Sequence, residues 1–195
     1  MTARLRMPFD PEMNYGRALN EEMELLPEGD WAIFLDHDAH WTTTAWHRQI
    51  EEAIAFQPEA GLFTAVANRI GPKWQQHGPS HSLDDNVLCR IGQGRLKLRT
   101  LLDVTATKGI GGVVMVISKA AWRDVGGFKD GMGCVDHMMH FAQASAGRRI
   151  FVIEGLFVAH RRGTSGTSAA RKMPYASDCP CRGPETMPML RLTIP

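Results

Sequence analysis

An excess of charge of either sign is missing from this chain: 22 Lys and Arg face 21 Asp and Glu, for a formal net charge of +1. Without a global field nothing draws the molecule to nucleic acid or to an anionic membrane, and any anion binding must be local. Long apolar runs are missing too, the longest being far short of a membrane span. The opening Met1-Thr2-Ala3-Arg4-Leu5-Arg6 has no apolar stretch of the kind a secretion signal needs, so none is expected. The cysteines Cys89, Cys134, Cys179 and Cys181 form no Cys-x-x-Cys pair, and Cys179-Pro180-Cys181 alone is poor support for a structural zinc site. Free thiols in a reducing cytoplasm are the expectation. What remains is an ordinary globular composition, 195 residues with 44% apolar and 22% charged, enough for one domain with a substantial core.

The most informative stretch is Asp30 to Ala39. Trp31 to Leu35 are all apolar and read as one buried strand, which runs directly into Asp36-His37-Asp38. In a parallel sheet, ligands gather beyond the carboxyl ends of the strands. Alternation along an extended chain would turn both carboxylates to one side, where they can share a divalent cation. Mg²⁺ and Mn²⁺ prefer oxygen ligands and commonly keep substrate phosphates as further ones. A polar turn after a strand is the plainer reading of the same residues.

Around this stretch the pattern alternates. Leu5 to Phe9 reads as a short strand, and Asn14 is a good N-cap for a helix with Ala18, Leu19 and Met23 on its buried face. A second helix is expected from Thr43 or Thr44 to Phe56, then a strand from Gly61 to Ala67 that ends on Asn68-Arg69. The β-α-β-α-β order predicts a layered α/β fold with a mostly parallel central sheet. Gly71 to Ser82 reads as a loop, and a helix is expected within Leu83 to Arg99. Gly112 to Ser118 reads as a strand, with Ser118 capping a short helix to Asp124. Asp136 to Ala146 is the last helix, and strands Ile150–Ile153 and Leu156–Ala159 flank Glu154-Gly155 and lead to His160. One domain is expected over residues 1–160, with a basic Gly-, Ser- and Pro-containing tail over 161–195, partly mobile.

Several of these pieces resemble, in order, the motifs of family 2 glycosyltransferases with the GT-A fold. Asn14-x-Gly16-x-Ala18-x-Asn20 followed by Trp31-x-x-Phe34-Leu35-Asp36-His37-Asp38 is similar to the family's "G-x-A-x-N … LDxD" stretch. Gly111-Gly112 with its apolar strand and Gly126-Gly127-Phe128 resemble the segment before its catalytic loop. Gly133-Cys134-Val135-Asp136-His137 and Val158-Ala159-His160-Arg161-Arg162 resemble its ending. The resemblance implies an abbreviated, three-layer GT-A fold and a cytoplasmic, nucleotide-sugar-dependent hexosyltransferase using Mn²⁺ or Mg²⁺, with a UDP-sugar the foremost donor. It implies Asp38 as the metal ligand of the DxD motif, Asp36 on the metal or the donor's ribose, His160 completing the metal site, and Asp136 as general base. Val135 stands where the family often has an acidic residue. Only about a dozen residues precede the Asn14 helix, where family members carry the strand, helix and strand that hold the nucleotide base. Short phage and bacterial relatives of the family look similarly abbreviated.

The remaining donor-binding candidates are Asn68 and Arg69 at a strand end, Gly112 in its glycine pair, and Arg161, which with Arg162, Arg171 and Lys172 can fold over a diphosphate. The plainer readings are a turn and a solvated basic tail. Asp136 can also cap its helix, and His137 and His140 can make a separate metal site or merely a polar helix surface. The acceptor is open: a glycan, a lipid-linked species or a protein. No nucleic-acid partner or membrane-spanning segment is expected, and a homo-oligomer is compatible with the sequence. Two rival functions use the same residues, a non-catalytic glycan- or protein-binding module on a degenerate scaffold and a metal-dependent phosphate-ester hydrolase or nucleotidyltransferase.

Overall fold

The structure, a computed structural model, describes residues 2–79, 84–161 and 189–195. Its first strand, β1 (Ala3–Arg6), lies parallel to β2 (Trp31–Leu35), with α1 (Tyr15–Glu24) between them in sequence. The strand expected over Leu5 to Phe9 is displaced toward the N-terminus, and Met7 and Phe9 project into solvent beyond it. α1 starts where a side chain can satisfy its first N–H groups: Asn14 Oδ1 accepts from Arg17 N at 3.0 Å and also from Gly131 N at 2.7 Å. At its other end the buried Lys119 donates from Nζ to the carbonyls of Glu24 (2.9 Å) and Leu26 (2.7 Å). A cation on the otherwise orphaned carbonyls favours the helix C-terminus.

The sheet runs β1-β2-β6-β4-β7-β5-β8, where β4 is Leu62–Ala67, β5 Thr100–Asp103, β6 Val114–Ser118, β7 Ile150–His160 and β8 Leu190–Thr193. The expectation of a mostly parallel sheet is corrected here. Among the strands of the described residues β1/β2 and β4/β7 are parallel, while β2/β6, β4/β6, β5/β7 and β5/β8 are antiparallel. β6 is inserted between β2 and β4, so these two strands are not paired with each other. Val114 to Ile117 are wholly buried because both faces of the sheet are covered, and such a run looks the same in either direction.

Alternation along the strands feeds two cores. Ala32, Phe34, Met115 and Ile117 join one cluster with Leu19 and Met23 of α1, Trp122 of α4 (Lys119–Asp124) and Met139 of α5 (Val135–Ser145). Trp31, Ile33, Val114 and Val116 join the other with Ile50, Ala53 and Ile54 of α2 (Trp46–Phe56). The molecule is therefore a mixed α/β protein built on an open sheet with a core on each face. A further helix, α3 (Asp85–Arg95), is N-capped by Asp84.

Two features of β7 shape the end of the sheet where His160 lies. Glu154-Gly155 does not end a strand, as the sequence suggested; β7 runs through it, absorbing the disturbance as a register shift against Ala65/Val66 of β4. A Cβ on Gly155 would lie 2.3 Å from the Leu98 carbonyl oxygen, so only glycine fits. The short β3 (Ala39–Trp41) pairs antiparallel with the far end of β7. Of the expected tail, residues 162–188, with Arg162, Arg171, Lys172, Cys179 and Cys181, lie outside the described residues. The strand β8 pairs with β5 at the sheet edge, and its Leu192 and the following Ile194 pack on the α2-side core. Among the described residues no helix is long and apolar enough to cross a membrane.

Candidate metal centre

Asp36 leaves β2 with its N–H still bonded to the Val113 carbonyl of the β6 segment (3.0 Å), and its own carbonyl accepts from Ala39 N (3.0 Å) to close a tight turn. The chain then returns as β3, with Ala39 opposite His160 of β7, and Arg161 N donates to the Asp38 carbonyl at 2.9 Å. This pairing, made across 122 residues of sequence, brings the Asp38 and His160 side chains together. The two carboxylates are thus related by a turn and not by the alternation of an extended strand. They nevertheless face a common partner.

One ligand atom from each of Asp36, Asp38 and His160 lies within 4.8 Å of the other two. His160 Nε2 stands 3.1 Å from Asp38 Oδ1 and 3.8 Å from Asp36 Oδ2. Neighbouring ligands of an octahedral ion at about 2.1 Å stand about 3.0 Å apart and opposite ones about 4.2 Å. The donor set and its spacing therefore fit a small divalent cation. Asp38 is the buried member, its side chain 3% exposed, whereas Asp36 keeps 30% of its surface open. No other group of three such side chains in mutual reach occurs among the described residues.

The protonation of the trio follows from its surroundings. Burial raises Asp36 to about 6; the His160 charge works against this, and the charges of Asp38 and Asp136 add to it. Burial pulls the His160 imidazole down, but the hydrogen bond to Asp38, the charges of Asp38 and Asp36 and the bond to the Arg69 carbonyl outweigh it, for a net rise. Nδ1 of His160 lies 2.6 Å from the Arg69 carbonyl, so it carries the proton and leaves Nε2 directed at the carboxylates. A backbone carbonyl on one ring nitrogen is the usual device that presents the other to a metal.

The residues expected to contact a donor phosphate surround this histidine. Asn68 is fully buried, and its Oδ1 accepts the His160 backbone N–H at 2.8 Å. Arg69 supplies the carbonyl that holds the imidazole, and its guanidinium donates to the Arg161 carbonyl at 2.8 Å. Arg161, which is exposed, pairs with Asp85 of α3 at 3.3 Å. These three residues frame the His160 end of the centre.

Asp136 is the second residue of α5, whose N-cap position is taken by Cys134 in the left-handed region at φ 59°. It therefore does not cap the helix, though a carboxylate in the first turn suits the helix dipole. Its Oδ2 accepts from Gly112 N at 2.7 Å and its Oδ1 from His137 N at 2.9 Å. A Cβ on Gly112 would lie 2.8 Å from the Asp136 Cβ, which explains the glycine and gives it a part in holding the carboxylate.

Tyr15, which belongs to none of the motifs, links the two halves. Burial pushes its phenol well above the usual range, and the charges of Asp36 and Asp136 add to the rise. Its only signal in the sequence is an aromatic hydroxyl directly after the Asn14 N-cap. The two histidines of α5 behave differently from His160. His140 is buried with Nε2 3.2 Å from the Thr105 carbonyl, and burial lowers it to about 4. His137 gives its backbone N–H to Asp136 and packs its ring against Gly109. Trp46 and Trp122 pack on the two cores, and Trp41 stacks on Trp46 at 4.4 Å. The sequence was compared with protein-family models and with curated proteins, and nothing matched in either comparison.

Proposed function

We propose that this chain is a metal-dependent glycosyltransferase that moves a sugar from a nucleotide-sugar to an acceptor hydroxyl. The observation that carries the reading is the convergence of Asp36, Asp38 and His160 at the ends of β2 and β7. The ordered resemblance to family 2 glycosyltransferases supports it, including an abbreviated GT-A fold.

In this reading Asp38 and His160 hold Mn²⁺ or Mg²⁺ from the buried side and Asp36 from the open side. Two carboxylates and one imidazole leave positions for phosphate oxygens and water. The bound cation supplies Lewis-acid stabilisation of the charge that develops on the departing nucleoside diphosphate. Asp136 accepts the acceptor's proton: two backbone N–H groups fix its carboxylate, and a carboxylate has about four lone-pair sites, so two remain for the reacting hydroxyl. A UDP-sugar is the first donor to try.

The test is a panel of UDP-, GDP- and dTDP-sugars incubated with Mn²⁺, with nucleoside diphosphate release as readout. Release that EDTA and Asp38→Ala both abolish supports the reading. Neither binding nor turnover across the panel overturns it, and phosphate or pyrophosphate release without sugar transfer assigns the centre to a hydrolase or nucleotidyltransferase.

A further inference from the structure

Beside the metal centre lies an open recess of about 200 Å³, bounded by the Met7–Met13 segment after β1, by Tyr15, by Met132 and by Leu35-Asp36-His37. Its walls are unusually apolar for a surface. Nine large hydrophobic side chains are exposed among the described residues, and four line this one place: Phe9 (80%), Met7 (78%), Met13 (50%) and Met132 (37%). Isolated exposed apolar residues need no explanation, but a cluster marks a surface that something covers. The recess is smaller than the pockets of about 300 Å³ and above that take drug-sized ligands. It has room for one flat ring system.

Polar side chains in the wall are few: Asp10, Tyr15, Asp36 and His37. Asp10 accepts from Arg17 at 2.7 Å, Tyr15 is part-buried, and Pro8 has no N–H to offer. His37 alone is exposed at the rim, and a single ring cannot read the full edge of a base. Asp36 belongs to both places, the recess and the cation site. A ligand that fills both has phosphate at one end and a flat, largely apolar ring at the other.

We infer that the recess holds the base of the nucleotide whose phosphates the cation binds, and that it grips this ring by apolar contact without reading its edge. Phe9 can stack on the ring, and the thioethers of Met7, Met13 and Met132 can adapt to rings of different size. Pyrimidine and purine nucleotides then bind with similar affinity. The inference rests on the cation–diphosphate reading above and specifies the donor class for it: the nucleoside is required, its identity is not.

The experiment is calorimetry on the full chain saturated with Mn²⁺, using pyrophosphate, UDP, GDP and dodecyl phosphate as probes, repeated with Phe9→Ser and Met132→Ser. Both positions are exposed, and Mn²⁺ binding to each variant reports that the fold and centre are intact. UDP and GDP should agree within about fivefold and exceed pyrophosphate at least tenfold, in line with one stacked base. Each variant should lose about tenfold for both nucleotides and nothing for pyrophosphate. Nucleotides no tighter than pyrophosphate, a strong preference for one base untouched by the variants, or dodecyl phosphate outbinding both nucleotides would each overturn the inference while leaving the metal centre standing. Failure of pyrophosphate and nucleotides alike to bind the Mn²⁺-loaded chain would instead overturn the cation–diphosphate reading, and the inference with it.

Discussion

Replacing Asn68 by alanine separates the role of the metal centre from that of the fold. Asn68 is buried, and its Oδ1 accepts the His160 backbone N–H at 2.8 Å in the interior. Alanine leaves that donor without this acceptor, and an unsatisfied buried donor costs about 1–3 kcal/mol. For a domain of this size each kcal/mol moves Tm by about 2–4 °C, so a fall of about 2–12 °C is expected. The larger consequence should be in metal binding. The Arg69 carbonyl and Asn68 amide together fix where the imidazole sits, and loss of a residue that orients a ligand typically costs about 10–100-fold in metal affinity. Mn²⁺ calorimetry and thermal unfolding on the same preparation read both effects. A Tm loss of this size with unchanged Mn²⁺ affinity would refute the assignment, leaving Asn68 as a support of the sheet alone.

The protonation of the trio sets a pH dependence. Protons and cation compete for Asp36, raised to about 6, and for His160, raised above its ordinary value, so affinity must fall as pH falls. Mn²⁺ affinity should drop about tenfold from pH 7.5 to pH 6 and more steeply below, and a flat titration across this window would contradict the ligand set. Gly112→Ala should push Asp136 aside, because the new Cβ would stand 2.8 Å from the Asp136 Cβ. A displacement approaching 1 Å predicts a transfer rate about 100-fold lower with Mn²⁺ affinity unchanged, and an unaltered rate would remove Asp136 from the chemistry.

Much of this arrangement is legible in the sequence because it depends on local signals. Asn14 caps α1, Ser118 caps α4, and Trp31 to Leu35 form the buried strand that delivers Asp36. His160 stands out through motif order, at the end of an apolar strand, and the structure brings it to the two aspartates. Strand direction is not legible: a run such as Val114 to Ile117 is buried on both faces and carries no mark of which way its neighbours run. β3 escapes because three residues give no periodicity, and β8 because Leu190 to Thr193 are mostly exposed and pair with β5 across a long separation. The frame around His160 is only half visible. Asn68 and Arg69 are recognisable as polar residues at a strand end, but a backbone bond from His160 to the Asn68 side chain is decided by the β4/β7 register, which no local pattern encodes.

The central claim is that one cation is held jointly by Asp36, Asp38 and His160. Mn²⁺ binding followed by electron paramagnetic resonance at pH 7.5, on the native chain and on Asp38→Ala and His160→Ala, tests it most directly. One bound ion per chain, lost or weakened at least tenfold in each variant, is the predicted result. Equal Mn²⁺ binding by all three proteins, or none by the native chain, would contradict it.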